Sequence, residues 1–180
     1  MRYPRATTGL GTLAGLAFTA GPALAQPSPL PTEPVLPLDL AEEAAAAAVA
    51  ACEADGFPVS AAVVDRGGNL KALLRADGAG AVTPDSSFKK AYTAASVGES
   101  TGELARLVVE MPEVAGLNFL NENTLILAGG LPIEIGGELV GGIGVGGAPG
   151  GPLDEACARA GLQSIGAGGG DADGEDGGGQ

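Results

Sequence analysis

Any chemistry in this chain has to be done without histidine, because its 180 residues contain none. Histidine-based triads, histidine zinc sites and histidine proton shuttles are therefore excluded. The two cysteines, Cys52 and Cys157, are too distant for a C-x-x-C redox pair and too few for a thiolate zinc site. Ser60, Ser86, Ser87, Ser96, Ser100 and Ser164 all lie outside any G-x-S-x-G elbow. Asp65, Asp77 and Asp85 have acid–base chemistry to offer, but their places at turns and helix starts already account for them.

One motif invites a nucleotide reading. Gly142-Ile143-Gly144-Val145-Gly146-Gly147 satisfies G-x-G-x-x-G and follows an apolar run. The context rejects it. Ala148-Pro149-Gly150-Gly151-Pro152 delays the next helix, and Asp154 and Glu155 then occupy the place an anion would need. The structural reading is that these glycines let the last helix, or a neighbouring subunit, approach a strand closely.

The elements that would position any site follow from local signals. Asp39 with Glu42 forms a capping-box pattern opening an alanine-rich helix that stops near Gly56. Apolar runs at 59–64 and 70–74 flank Asp65-Arg66-Gly67-Gly68-Asn69, which predicts a β-hairpin. Thr83-Pro84-Asp85 starts a second helix, with Phe88, Ala91, Tyr92 and Ala95 on one stripe and Gly98 at its end. Ser100 with Glu103 starts a short helix that ends at Met111-Pro112. Strands follow at 124–127, 131–135 and 138–145, with Gly136-Gly137 as the turn between the last two, and a final helix runs from Pro152 to about Ile165. The order α-β-β-α-α-β-β-β-α predicts an α+β domain with an antiparallel sheet of about five strands.

The ends of the chain are of a different kind. Arg2 and Arg5, the apolar stretch 10–20 and Ala23-Leu24-Ala25 read as a signal peptide over 1–25, cut before Gln26. Residues 26–37 carry five prolines and read as an extended spacer outside the fold. Residues 166–180 are glycine with Asp171, Asp173, Glu175 and Asp176, a composition that predicts a disordered tail. One domain remains, 38–165, expected in the periplasm or secreted. In such an oxidising compartment Cys52 and Cys157 either pair or stay apart as buried thiols, and both readings stay open.

The formal charge is −13, and only seven cations follow residue 25. That set builds neither the dense basic face nucleic-acid binding needs nor a basic amphipathic helix for a membrane surface. The alanine face of the first helix and the glycine-rich strand 139–147 both offer close-approach surfaces, which predicts a homo-oligomer.

Four segments in order resemble the GlcG/HbpS family of haem-associated proteins. They are VSAAVVDRGGNLKALLRADGA (59–79), KKAYTAAS (89–96), AGGLPI with GGELVGGIGVGGAP (128–149), and DEACARAG (154–161). The resemblance implies an α+β fold of this topology, homo-oligomers and, for some members, binding or degradation of haem. Haem iron is commonly held by His, Cys, Met or Tyr. Beyond residue 25 this chain has one tyrosine, Tyr92, and one methionine, Met111, and for both the plain alternative is core packing. Lys89, Lys90 and Arg75 are the candidates to meet haem propionates, against the alternative of a solvated basic face. The leading expectation is an exported protein that binds haem or a related tetrapyrrole without elaborate catalysis. The alternatives are a small-molecule sensing or scaffold module without haem, and an enzyme that degrades haem.

Overall fold

The computed structural model describes residues 32–168 of the chain. The expected signal peptide, the first half of the proline spacer (26–31) and the tail beyond 168 lie outside the described residues. Within the compact unit that begins at Glu33, the elements are α1 (Leu38–Ala54), β1 (Ser60–Asp65), β2 (Leu70–Arg75), α2 (Thr83–Val97) and α3 (Thr101–Glu110). A 3-10 segment (Pro112–Phe119), β3 (Gly130–Ile135), β4 (Glu138–Gly146) and α4 (Gly151–Ser164) complete it. The strands form one sheet in the order β2-β1-β4-β3, antiparallel throughout.

The α+β class is the one expected, with four strands rather than five. The missing strand is 124–127. The Leu125 amide donates to Thr93 Oγ1 on α2 at 2.9 Å, and the Leu127 carbonyl accepts from Thr101 Oγ1 on α3 at 2.8 Å. Helix side chains thus take backbone groups that a strand would offer to a neighbour.

Local start signals were only partly right. Ser100 Oγ accepts from the Glu103 amide at 3.0 Å, the capping bond expected for α3. By contrast α1 begins one residue before Asp39, after Pro37 as its N-cap, and no side chain caps it. Thr83 is the first residue of α2 rather than its cap; its hydroxyl donates to the Gly80 carbonyl at 2.8 Å and meets Ser60 Oγ at 2.7 Å.

Helices cover both faces of the sheet. On one side α1 and α4 pack on the sheet and on each other, with Ala41, Ala44, Ala45 and Ala48 fully buried. A Cβ at Gly161 of α4 would lie 2.5 Å from the Ala44 carbonyl, so only glycine permits this approach. Cys52 and Cys157 are joined as a disulfide across this helix pair, with Cα atoms 5.5 Å apart. On the other side α2 lies on the glycines of β4: a Cβ at Gly144 would fall 2.2 Å from the Ser87 carbonyl, and one at Gly142 2.4 Å from that of Ala91. The glycines at 142 and 144 therefore receive α2, while the last helix meets the same strand from its other face, at Ile143. The glycine face of β4 and the buried alanines of α1 are thus taken up within the chain, while Ala46 and Ala50 stay exposed on α1.

The domain also begins and ends differently from the sequence reading. Leu36, assigned to the spacer, is fully buried in the core beneath the sheet. Such a side chain contributes about 1.5–3 kcal/mol when removed from water. At the other end, Gly168 exchanges two backbone hydrogen bonds with Glu134, extending the edge of β3 by one bridge.

Candidate functional site

The hairpin β1–β2 walls an open apolar groove, and an irregularity in its register is the reason. Val63 pairs with Ala72 but Val64 pairs with Leu70, so Lys71 is an extra residue, a β-bulge. In a regular strand Leu70 and Leu73 would point to opposite faces. With the bulge, Leu70 lies opposite Val64 and Leu73 opposite Ala62, and both share the face on which α2 packs. That helix does not cover them: they remain 50% and 42% exposed. With Phe88 and Pro84 of α2 they wall an open groove of about 550 Å³, edged by Asn69, Asp85 and Gly68. Size and lining suit a mostly apolar small molecule with few polar contacts.

Tyr92 stands at the end of this groove without lining it. Its ring lies 6.2 Å from that of Phe88, centre to centre. The turn residue Gly68, at φ +79°, rests on the ring so closely that a Cβ there would be 2.6 Å from Tyr92 Cε2. The turn is itself fixed by Asp65 Oδ1, which accepts from the Asn69 amide at 2.9 Å. The Tyr92 phenol oxygen accepts from Asn121 Nδ2 at 2.9 Å. Tyr92 is thus half-buried at a meeting of hairpin, helix and loop rather than packed in the core.

The candidate cations do not act as a group. Lys89 faces the groove side of α2, where its ammonium pairs with Asp85 at 3.1 Å. Lys90, one residue on, is turned by about 100° around the helix and is only 1% exposed. Its ammonium donates to Asp154 Oδ2 at 2.6 Å and to the Val145 carbonyl at 2.9 Å. Lys90 therefore offers no charge to a surface ligand, which corrects its pairing with Lys89. Arg75 is exposed at the far end of β2, its guanidinium donating to the Ala79 carbonyl. Met111 ends α3 at 39% exposure.

These placements narrow the donors available to a haem iron. Both cysteines are in the disulfide. Among the described residues no cluster of acids and cysteines could hold a metal ion. Among the described residues Tyr92 and Met111 remain, and of these two Tyr92 stands beside the apolar groove. A phenol oxygen is an accepted haem ligand, and leucine and phenylalanine walls suit the porphyrin ring. The groove itself supplies apolar walls of the kind a porphyrin ring packs against, Leu70, Leu73 and Phe88, while Tyr92 and Lys89 lie beside it and not in its lining. Sequence reasoning missed Asn121, Leu70, Leu73 and Phe88 as site residues. Only the turn-forming composition of Asn121-Glu122-Asn123-Thr124 hinted that this loop is built rather than irregular.

With this geometry established, comparisons with known proteins give a consistent result. The chain is similar to HbpS of Streptomyces reticuli, solved as a double mutant, at 47% identity and TM-score 0.71, covering 81% of this chain and 97% of that one. It is similar to protein ORFY of Klebsiella pneumoniae at 28% identity and TM-score 0.73, covering 79% and 98%. It is also similar to PduOC, solved as a heme complex, at 27% identity and TM-score 0.68, covering 74% and 97%. An uncharacterized 15.0 kDa protein from the dhaT-dhaS intergenic region of Citrobacter freundii is 36% identical over 91 residues. That match takes in 50% of this chain and 64%, just under two thirds, of that protein's own length. Residues 36–163 match the model of the family described as haem degrading protein HbpS-like, and the chain belongs to that family.

Proposed function

We propose that this protein binds haem or a related tetrapyrrole in the groove between β2 and α2. The observation that carries this reading is the placement of Leu70, Leu73 and Phe88 as an open apolar groove ending at Tyr92, in a chain of the HbpS-like family. The similarity to PduOC, solved with heme, supports it.

Bound haem would supply redox and ligand-binding chemistry at its iron. The chain's own part is to remove the ring from water between the two leucines and Phe88. Lys89 would release Asp85 and meet a propionate; at such an exposed site this exchange costs little, because surface ion pairs are worth about 0–1 kcal/mol. The acid–base groups beside the groove are Asp85, Lys89 and Tyr92, which favours holding the ligand over multi-step catalysis. Export belongs to the same reading, supported by the Cys52–Cys157 disulfide, a bond typical of oxidising compartments. Self-association is part of it too, and size-exclusion chromatography of the tag-free protein checks it; elution as a monomer would remove it.

The test is a hemin titration of tag-free protein, since a polyhistidine tag would add ligands this chain lacks. A Soret shift is expected, lost or much weakened in Leu73→Asp, which places a charge on the groove wall. Absence of any shift at micromolar hemin overturns the proposal in favour of a sensing or scaffold module for another small molecule. Native mass spectrometry would then show a different bound metabolite.

A further inference from the structure

The two edges of the sheet are finished differently. Along β3 each outward amide is taken or absent. Gly130 donates to Thr101 Oγ1 at 2.8 Å, Pro132 has no N–H, and Glu134 donates to the Gly168 carbonyl at 3.1 Å. The β2 edge has no such cover. The Ala76 amide bonds to the Val59 carbonyl, so the alternation of an antiparallel ladder turns Ala72 and Leu74 inward to β1 and Leu73 and Arg75 outward. Among the described residues no group takes the outward amides and carbonyls of Leu73 and Arg75. Such a row is a template for another extended chain. Charge singles out the same strand. Of the seven cations after residue 25, Arg66, Lys89, Lys90, Arg106 and Arg159 each pair with a carboxylate. Lys71 and Arg75, which pair with none, both lie on β2, two positions to either side of Leu73.

We propose that the open edge of β2, with the groove beside it, binds an extended peptide of a partner protein by strand addition. That peptide carries a large apolar residue with an acidic residue two positions to either side. Alternate side chains of an added strand share one face. The residue opposite Leu73 would therefore enter the groove that Leu73 walls with Leu70 and Phe88. The acids would meet Arg75 and Lys71, since opposite charges across a strand pair attract. A second copy of β2 fits less well: paired antiparallel about Leu73, it would set Lys71 opposite Arg75, and like charges there repel. The inference does not rest on the haem reading, because main-chain groups and cations carry it.

The experiment uses the full-length chain, tag-free, and the end-capped peptide Ser-Glu-Thr-Phe-Thr-Glu-Ser. In the free protein the Leu73 and Arg75 amides should exchange hydrogen quickly, and those of Ala72 and Leu74 slowly. The peptide should bind and slow the first pair. Methylating the amide nitrogen of its phenylalanine, which faces β2, should weaken binding about tenfold. Methylating that of the next threonine, which faces away, should not. The double variant Lys71→Glu, Arg75→Glu should bind about fivefold more weakly and prefer the peptide with lysines in place of glutamates, a reversal that misfolding would not give. No binding at millimolar peptide, or binding that the first methylation leaves intact, overturns the proposal. So does protection of Leu73 and Arg75 that grows with protein concentration, which would assign the edge to a second copy. A protein that binds hemin but not the peptide loses this proposal and keeps the haem reading; the converse result keeps this proposal alone.

Discussion

Lys90 and Asp154 form a buried ion pair, Nζ to Oδ2 at 2.6 Å, that joins α2 on one face of the sheet to the first turn of α4 on the other. No polar end is left over. The ammonium also donates to the Val145 carbonyl, and Asp154 Oδ1 accepts from the Ala148 amide at 2.9 Å. Four points of the chain meet where β4 ends and α4 begins.

Removing one partner leaves the other charge buried without compensation, which costs about 3–5 kcal/mol. Lys90→Met and Asp154→Leu should each lower the unfolding free energy from urea titration by about that much. The double variant should be less destabilised than the sum of the two, since no lone charge remains buried. Strict additivity in this cycle would mean the pair is not coupled.

The disulfide is the second long-range fastening. Cys52 and Cys157 are 105 residues apart in sequence, so the bridge restricts the unfolded chain strongly. Cys52→Ala with Cys157→Ala should lose about 2–5 kcal/mol of stability. Both sulfurs are buried between α1 and α4, so reductant should act slowly on the folded protein and quickly in denaturant. Fast thiol release from the native state would contradict the burial.

Glycines in β4 and in the β3–β4 turn should respond differently to alanine. At Gly144 the added Cβ would sit 2.2 Å from the Ser87 backbone carbonyl, so α2 has to leave the sheet. Gly144→Ala should fail to accumulate as folded protein or melt far below wild type. At Gly136 nothing lies within 4 Å and only φ +62° is unfavourable, so the cost should be about 1 kcal/mol. Similar melting temperatures for the two variants would refute the close packing of α2.

Gly68→Ala tests the site rather than the core. The new methyl would lie 2.6 Å from the Tyr92 ring, so ring or turn has to move. Circular dichroism should remain near wild type while tyrosine quenching and hemin affinity change. Unchanged hemin binding would show that the turn does not shape the ligand site.

Much of this architecture was legible because its causes are local. The Asp65–Asn69 turn, the Ser100–Glu103 cap and the end of α2 at Gly98 each depend on residues within one turn of one another. The strand assigned to 124–127 failed because side chains of α2 and α3 compete for its backbone, and composition carries no sign of that. The spacer boundary failed likewise: the proline content around Leu36 is real, yet one buried leucine ties the segment to the core.

From the order of residues alone came the α+β class, the hairpins, the family resemblance and the short inventory of possible haem ligands. Folding decided the rest. It separated Lys89 from Lys90, turned Leu70 and Leu73 to one face through the bulge at Lys71, joined Cys52 to Cys157, and brought Asn121 to Tyr92. The physical reason is range: dihedral preferences and capping bonds act over a few residues. Burial and pairing instead bring together groups tens of residues apart, and only packing determines which of them meet.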